Sequence, residues 1–299
     1  MKHLIIPVFI PHAGCPQKCI YCNQNKVTLE KGFPKTDVID RNVNLYLNSS
    51  KKDKRSKRKY SNISNEAIKV EIGIPFFRET IREIAFFGGS FTGIDNKIQK
   101  EFLDGAQKWI SAGIVDGIRI STRPDLINEE NIEWLKEKKV TTIELGAQSF
   151  SDDVLKKSER GHSTYSTIRA SKIIKNAGLR LGIQLMMGLP KEDEKSFIAG
   201  IKKAVSLKPE FIRIYPLLIL PETKIMEMYL KNEYKPLSLD ETIHMGAKAL
   251  KILYKNNIPC IRFGLPENNE YKGTSIIGPY HPSLKHMIDS KLAYATMYR

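Results

Sequence analysis

Cys15, Cys19 and Cys22 are three of the chain's four cysteines, spaced with three and then two residues between them, just after an apolar run. A short irregular loop with that spacing can turn three thiolates to one side, as an iron–sulfur cluster requires. Three ligands on a four-iron cluster leave one iron open to a small molecule. Zinc is the competing reading: a structural zinc site is closed by four protein ligands, and His12 is near enough in sequence to be the fourth. Disulfides fit less well in a chain with so few cysteines and no secretory segment. Cys260 stands alone and reads as a buried structural thiol rather than a ligand of a second site.

The elements around this loop alternate. Apolar, strand-like runs cover 4–10, 83–87, 117–121, 142–147, 181–187 and 211–215. Helical patterns lie at 36–47 behind Thr36, from about 65, at 97–112, around Ile132, Trp134 and Leu135, at 163–177 closed by Gly178, and at 194–206. Strands separated by helices imply parallel pairing through right-handed crossovers. Six such units suit an open, partial (β/α)6 TIM-like barrel of the α/β class, because a closed eight-unit barrel takes about 250 residues. That core spans 1–220. A mostly helical extension, 221–299, holds a helix at 239–255, a candidate seventh strand at 258–262, and a last helix after Ser283 with Leu284, Met287, Ile288 and Leu292 on one face.

Polar residues gather where the strands end: the cysteines, Gly88, Gly89 and Ser90, then Arg123, Gln148 and, on the fifth strand, Gln184. Ligands of such folds sit at the carboxyl ends of strands. Two glycines after a strand also let backbone N–H groups approach a ligand.

The formal net charge is +15, which favours a polyanionic partner such as RNA or an acidic membrane surface. Lys51, Lys52, Lys54, Arg55, Lys57, Arg58 and Lys59 make a local basic run, which reads as a solvated loop or an RNA contact. No stretch is long and apolar enough for a membrane span, and the first ten residues are too short for a signal peptide, so the expected location is cytoplasmic.

With Tyr21 before the last cysteine, the cysteine loop resembles the signature of the radical S-adenosylmethionine enzymes. The resemblance sharpens along the chain. Ile120-Ser121-Thr122-Arg123-Pro124-Asp125, Glu144-Leu145-Gly146-Ala147-Gln148-Ser149, Arg160-Gly161-His162, Met186-Met187-Gly188-Leu189-Pro190 and Arg213-Ile214-Tyr215-Pro216 are similar to successive motifs of the Elongator catalytic subunit family. The compact cysteine spacing is instead similar to oxygen-independent coproporphyrinogen dehydrogenase and its relatives.

These resemblances imply a [4Fe-4S] cluster on Cys15, Cys19 and Cys22. They also imply S-adenosyl-L-methionine bound at its open iron and reductively cleaved to a 5'-deoxyadenosyl radical. Gly88, Gly89 and Ser90 would meet the methionine amino group, and Arg160 its carboxylate. Gln148, Ser121 and Gln184 fill further cofactor positions; Ser121 and Gln184 stand where that second branch has acidic residues. Tyr21 and Arg123 complete the expected cofactor site, and Tyr215 is a candidate for lining the substrate cavity. The implied partners are a flavodoxin- or ferredoxin-type reductant and an RNA substrate such as tRNA. A small-molecule, porphyrinogen-oxidase-like activity is the alternative, and a non-catalytic zinc or RNA-binding module is a third reading. The stretch after Ile243 is too short for the Elongator subunit's acetyltransferase domain, so acetyl-dependent uridine chemistry is not carried over.

Overall fold

The computed structural model describes residues 2–10, 14–16, 18–23, 33–52, 80–265 and 276–297. His12, the basic run beyond Lys52 and the helix expected from about 65 lie outside them. One sheet of seven parallel strands runs in chain order: β1 (Lys2–Ile10), β2 (Thr80–Gly88), β3 (Gly117–Thr122), β4 (Val140–Gln148), β5 (Arg180–Met187), β6 (Phe211–Pro216) and β7 (Cys260–Phe263). The sheet curls into a half-barrel. It has one strand more than the six counted units, because β7 pairs with β6 through Ile212↔Cys260 and Ile214↔Phe263.

Helices cover the convex side: α1 (Asp37–Lys52), α2 (Asn96–Ser111), α3 (Glu129–Glu137), α4 (Asp152–Lys157), α5 (Thr164–Asn176), α6 (Glu194–Ser206), α7 (Lys224–Leu230), α8 (Leu239–Lys255) and α9 (Leu284–Met297). Of these, α4 and α7 lie in the connections that leave the carboxyl ends of β4 and β6. Capping explains where several begin. Asn128 and Asn131, Asp193 and Ser196, and Ser238 and Glu241 form reciprocal capping boxes at the starts of α3, α6 and α8. Among the described residues, no helix is long and apolar enough to cross a membrane.

The strands have period two, and their two faces differ in chemistry. Ile84, Phe86, Ile118, Ile120, Ile143, Leu145, Leu181, Ile183, Ile212 and Ile214 point outward into the main core with helix residues such as Phe102, Leu103, Ile174, Phe197 and Leu250. Cys260 sits in the same core at 6% exposure, its thiol pushed up to about 12 by burial, as suits a structural cysteine. The alternate positions (Glu83, Arg119, Glu144, Gln184 and Arg213) therefore face the concave side. Arg119 donates to Glu83 at 2.6 Å and to Glu144 at 2.9 Å, with all three side chains fully buried. Arg180 and Arg213 reach the same two carboxylates at 2.7 and 3.2 Å. Buried charges persist only when paired in this way. This layer fills the floor of the half-barrel and leaves its rim for ligands.

Candidate active site

The cysteine loop lies across the carboxyl ends of β1 and β2. Its first contact is backbone to backbone: a Cβ on Gly14 would stand 2.3 Å from the Ser90 carbonyl oxygen, and one on Gly93 would stand 1.9 Å from the Gly14 oxygen. Gly14 also has φ +79°, a region open to glycine. Gly88 has φ +127° and passes Ile10 so closely that a Cβ would sit 1.9 Å from its oxygen. This packing brings Ser90 Oγ to 3.1 Å from Cys15 Sγ.

The second half of the loop is clamped from below. Ile20 N–H donates to the Ser158 carbonyl at 3.3 Å, and Ile225 N–H at the start of α7 donates to the Ile20 carbonyl at 2.9 Å. Ile20 is buried in a separate small core with Val154, Leu189, Leu217, Ile219, Ile225 and Met228, against which Tyr21 packs. Cys22 N–H donates to the Cys19 carbonyl at 3.0 Å, a tight turn that keeps these two cysteines together. Among the described residues none of the three sulfurs is in a disulfide; Cys19 is buried, and Cys15 and Cys22 are half-buried.

Arg160, which follows α4 and is itself buried, ties the loop to β4. Its Nη1 donates to Cys19 Sγ at 3.4 Å, its Nη2 to the Gly146 carbonyl at 2.7 Å, and its Nε to His162 Nε2 at 3.1 Å. A Cβ on residue 146 would come within 2.8 Å of that guanidinium and 3.0 Å of the Gln148 amide, so the glycine makes room for both. Gln148 itself has φ +66°, at a register shift where β4 leaves its pairing with β5. Non-glycine residues in this region recur at functional sites.

Burial works against the Arg160 charge, but the neighbouring Tyr21 and Cys19 groups outweigh it and hold its pKa above the ordinary value. Burial, reinforced by the Arg160 charge, pushes His162 down to about 4. His162 is thus neutral, accepting at Nε2 and carrying its hydrogen on Nδ1 toward the Ser163 carbonyl at 3.3 Å. It orients Arg160 and is no proton donor to the rim.

Arg123 is 1% exposed. Asp125 takes its Nε and Nη2 at 3.0 and 2.9 Å. Its Nη1 and the buried Tyr21 hydroxyl find no hydrogen-bond partner among the described residues. Gln184 donates to Glu144 at 2.7 Å and more weakly to Ser121 at 3.4 Å, one layer below the rim. The Glu144 side chain therefore lies inside the half-barrel. Tyr215 accepts from Arg213 Nη1 at 3.4 Å on the same face. For Gly89 the structure shows only a place in the bend after β2.

Sequence reasoning missed Glu83, Arg119 and Arg180, whose signal was charge at alternate positions of otherwise apolar strands. It also missed Glu192, which caps its own loop at the rim by accepting from Gly188 N–H at 2.9 Å and Ser149 Oγ at 3.3 Å.

Among the described residues, no three His, Cys, Asp or Glu side chains are gathered closely enough to enclose a metal ion. The donor set nonetheless fits an iron–sulfur cluster in kind, with three cysteine sulfurs outside any disulfide on one clamped loop. Beside it, the guanidinium of Arg160 and the orphaned Nη1 of Arg123 suit an anionic group.

The pattern of the Radical SAM superfamily matches residues 9–204, and that of the Radical_SAM C-terminal domain matches 209–294. The tRNA uridine(34) acetyltransferase of Methanocaldococcus jannaschii is 34% identical over 139 residues, which are 46% of this chain and 26% of that protein. The heme chaperone HemW of Escherichia coli is 24% identical over 73% of this chain and 52% of its own length. This chain thus spans between a quarter and about half of these relatives. The solved Elp3 of Methanocaldococcus infernus superposes with a TM-score of 0.69 at 19% identity, covering 99% of this chain and 64% of that one. Coproporphyrinogen III oxidase (HemN) of Escherichia coli gives 0.54 at 17% identity over 85% and 53%. Such likenesses show the shared half-barrel fold, and with the family pattern covering most of the sequence, this chain belongs to the Radical SAM superfamily, whose enzymes use a [4Fe-4S] cluster and S-adenosylmethionine.

Proposed function

We propose that Cys15, Cys19 and Cys22 hold the cluster, and that the enzyme acts on RNA, with tRNA as the substrate class. The observation that carries the site is the contact of Arg160 with Cys19 and Gly146, which joins the cysteine loop to the end of β4. When bound, the cluster and S-adenosylmethionine supply one-electron cleavage of a sulfonium and hydrogen abstraction from a substrate carbon. The chain's own residues bind and orient. Arg160 offers a guanidinium to a carboxylate beside Cys19, held in plane by Gly146 and neutral His162. Ser90 and the backbone after Gly88 border the Cys15 side. Arg123 Nη1, the Tyr21 hydroxyl and the amide of Gln148 provide the remaining donors, while Gln184, whose amide hydrogens go to Glu144 and Ser121, has its carbonyl oxygen to accept with.

The RNA reading is supported by the +15 charge and by the 34% identity to tRNA-modifying relatives. The likeness to HemW and the compact cysteine spacing support a small-molecule role as the second reading.

The test is anaerobic reconstitution with iron and sulfide, then reduction in the presence of S-adenosylmethionine, with a Cys19→Ala control. Deoxyadenosine from the wild type alone, increased by added tRNA, is the expected result. Deoxyadenosine indifferent to tRNA favours the small-molecule reading. Bound zinc with no cluster overturns the assignment of the three cysteines.

A further inference from the structure

The concave face carries more positive charge than its carboxylates need. Glu83 and Glu144 are completely enclosed, and Arg119, Arg180 and Arg213 all face them. Among the described residues, three guanidiniums face two carboxylates, which leaves one positive charge over. Arg119 is shared between both acids, and Arg180 is fixed on Glu83 at the lower end of the layer. The surplus falls on Arg213. Its contact with Glu144 is the longest of the set at 3.2 Å, its Nη1 makes only a long bond to Tyr215, and its buried Nε has no partner among the described residues. The guanidinium lies over the Phe87 ring at 4.9 Å, which fixes its plane.

A second cation stands beside it. Arg213 pairs in register with Arg262 of β7, which is exposed, and the Arg262 charge is felt at the Tyr215 phenol. Like charges directly across two strands repel unless something lies between them. Tyr215 is kept protonated by burial. Since its oxygen accepts from Arg213, its own hydrogen is left to donate.

We propose that Arg213, Arg262 and the Tyr215 hydroxyl bind an oxyanion of the substrate, a phosphate or a carboxylate, on the concave face between β6 and β7. Guanidinium forks match both groups geometrically, and a partly dry site strengthens the attraction. This rests on the reading above in taking that face as the substrate side of the enzyme, and it makes β6 and β7 the element pair that selects the substrate.

Binding is measurable without cluster or cosubstrate. The full chain is unfolded thermally while inorganic phosphate, or separately acetate, replaces chloride at constant ionic strength. An anion that binds the native state raises the transition temperature in a saturable way. The expected result is such a rise with at least one anion, abolished in Arg213→Gln. Arg262→Gln, an exposed change that the fold tolerates, raises the apparent dissociation constant at least ~10-fold. Arg169→Gln, a surface arginine paired with Glu129, leaves it unchanged. Preference for phosphate identifies a phosphorylated substrate, and preference for acetate a carboxylate. A wild type that does not distinguish either anion from chloride, or an Arg262→Gln protein that matches the wild type, overturns the proposal. The outcome is independent of the deoxyadenosine assay: an anion site in a chain that never forms deoxyadenosine removes the enzymatic reading alone, and the converse removes the oxyanion site alone.

Discussion

Glu192 shows how one residue can make the rim sensitive to pH. Part of the residue is exposed, but its carboxyl group is enclosed by its own loop, and burial pushes it up to about 8. The N–H groups of Gly188 and Leu189 pull the other way without offsetting the desolvation. A carboxyl raised above its ordinary value of 4.5 holds a proton in the folded chain that the unfolded chain releases. Its stabilising effect is therefore complete below that ordinary value and is lost as pH rises toward 8. The stability to urea should fall by at most about 5 kcal/mol across this window from this group. Glu192→Gln, which keeps an oxygen for the loop N–H groups and cannot ionise, should flatten that fall and stabilise the protein most at the alkaline end. Denaturation midpoints at several pH values decide it; equal slopes in both proteins would mean that the native carboxyl is already ionised in this range. The concave layer has a different logic. There the carboxylates of Glu83 and Glu144 are met by several donors each.

Between elements, the decisive contact is the crossing of the cysteine loop and the turn after β2. Gly14 and Gly113 both have positive φ, +79° and +70°, so alanine strains the backbone at either by about 1–2 kcal/mol. Only Gly14 has neighbours: the Ser90 oxygen at 2.3 Å and Gly93 carbon at 2.6 Å from an added Cβ, against nothing within 4 Å at Gly113. Gly14→Ala should thus lift the loop from the turn and lower iron bound per chain after reconstitution, while Gly113→Ala loads normally. Equal loading would separate cluster assembly from this crossing. The long helices were legible in the sequence: α6 and α8 run from Glu194 to Ser206 and from Leu239 to Lys255, over the spans expected there, and the structure adds the capping boxes that start them. Strand positions were legible from apolar runs, with ends shifted by up to three residues. What stayed hidden was support of the site. α4 and α7 have six and seven residues, less than two full turns and too few for an apolar repeat to show, yet they position Arg160 and grip Ile20. The direction of Glu144 likewise depends on pairing with β3 and β5, which a single strand does not reveal.

At the scale of the whole molecule, the described sheet ends at β1 on one side and β7 on the other, and the chain carries 48 lysines and arginines against 33 acids. That excess can serve in two ways. Spread evenly over a surface, it does little for any one partner. Gathered around the mouth, it recruits a polyanion and releases counterions from it. The two are separated by the dependence of tRNA affinity on salt, because each phosphate neutralised contributes about −0.7 to −0.9 to the slope of log K against log salt. An enzyme that contacts four or more phosphates should show a slope of about −3 or steeper, measured with the full reconstituted chain between low and moderate salt. Arg262→Gln should make that slope shallower by about one only if the anion between β6 and β7 is a backbone phosphate. A slope near zero would mean that the charge is a surface trait and that the half-barrel serves a small molecule. The same titration therefore reads both the substrate class and whether the arginine pair at the β7 edge belongs to it.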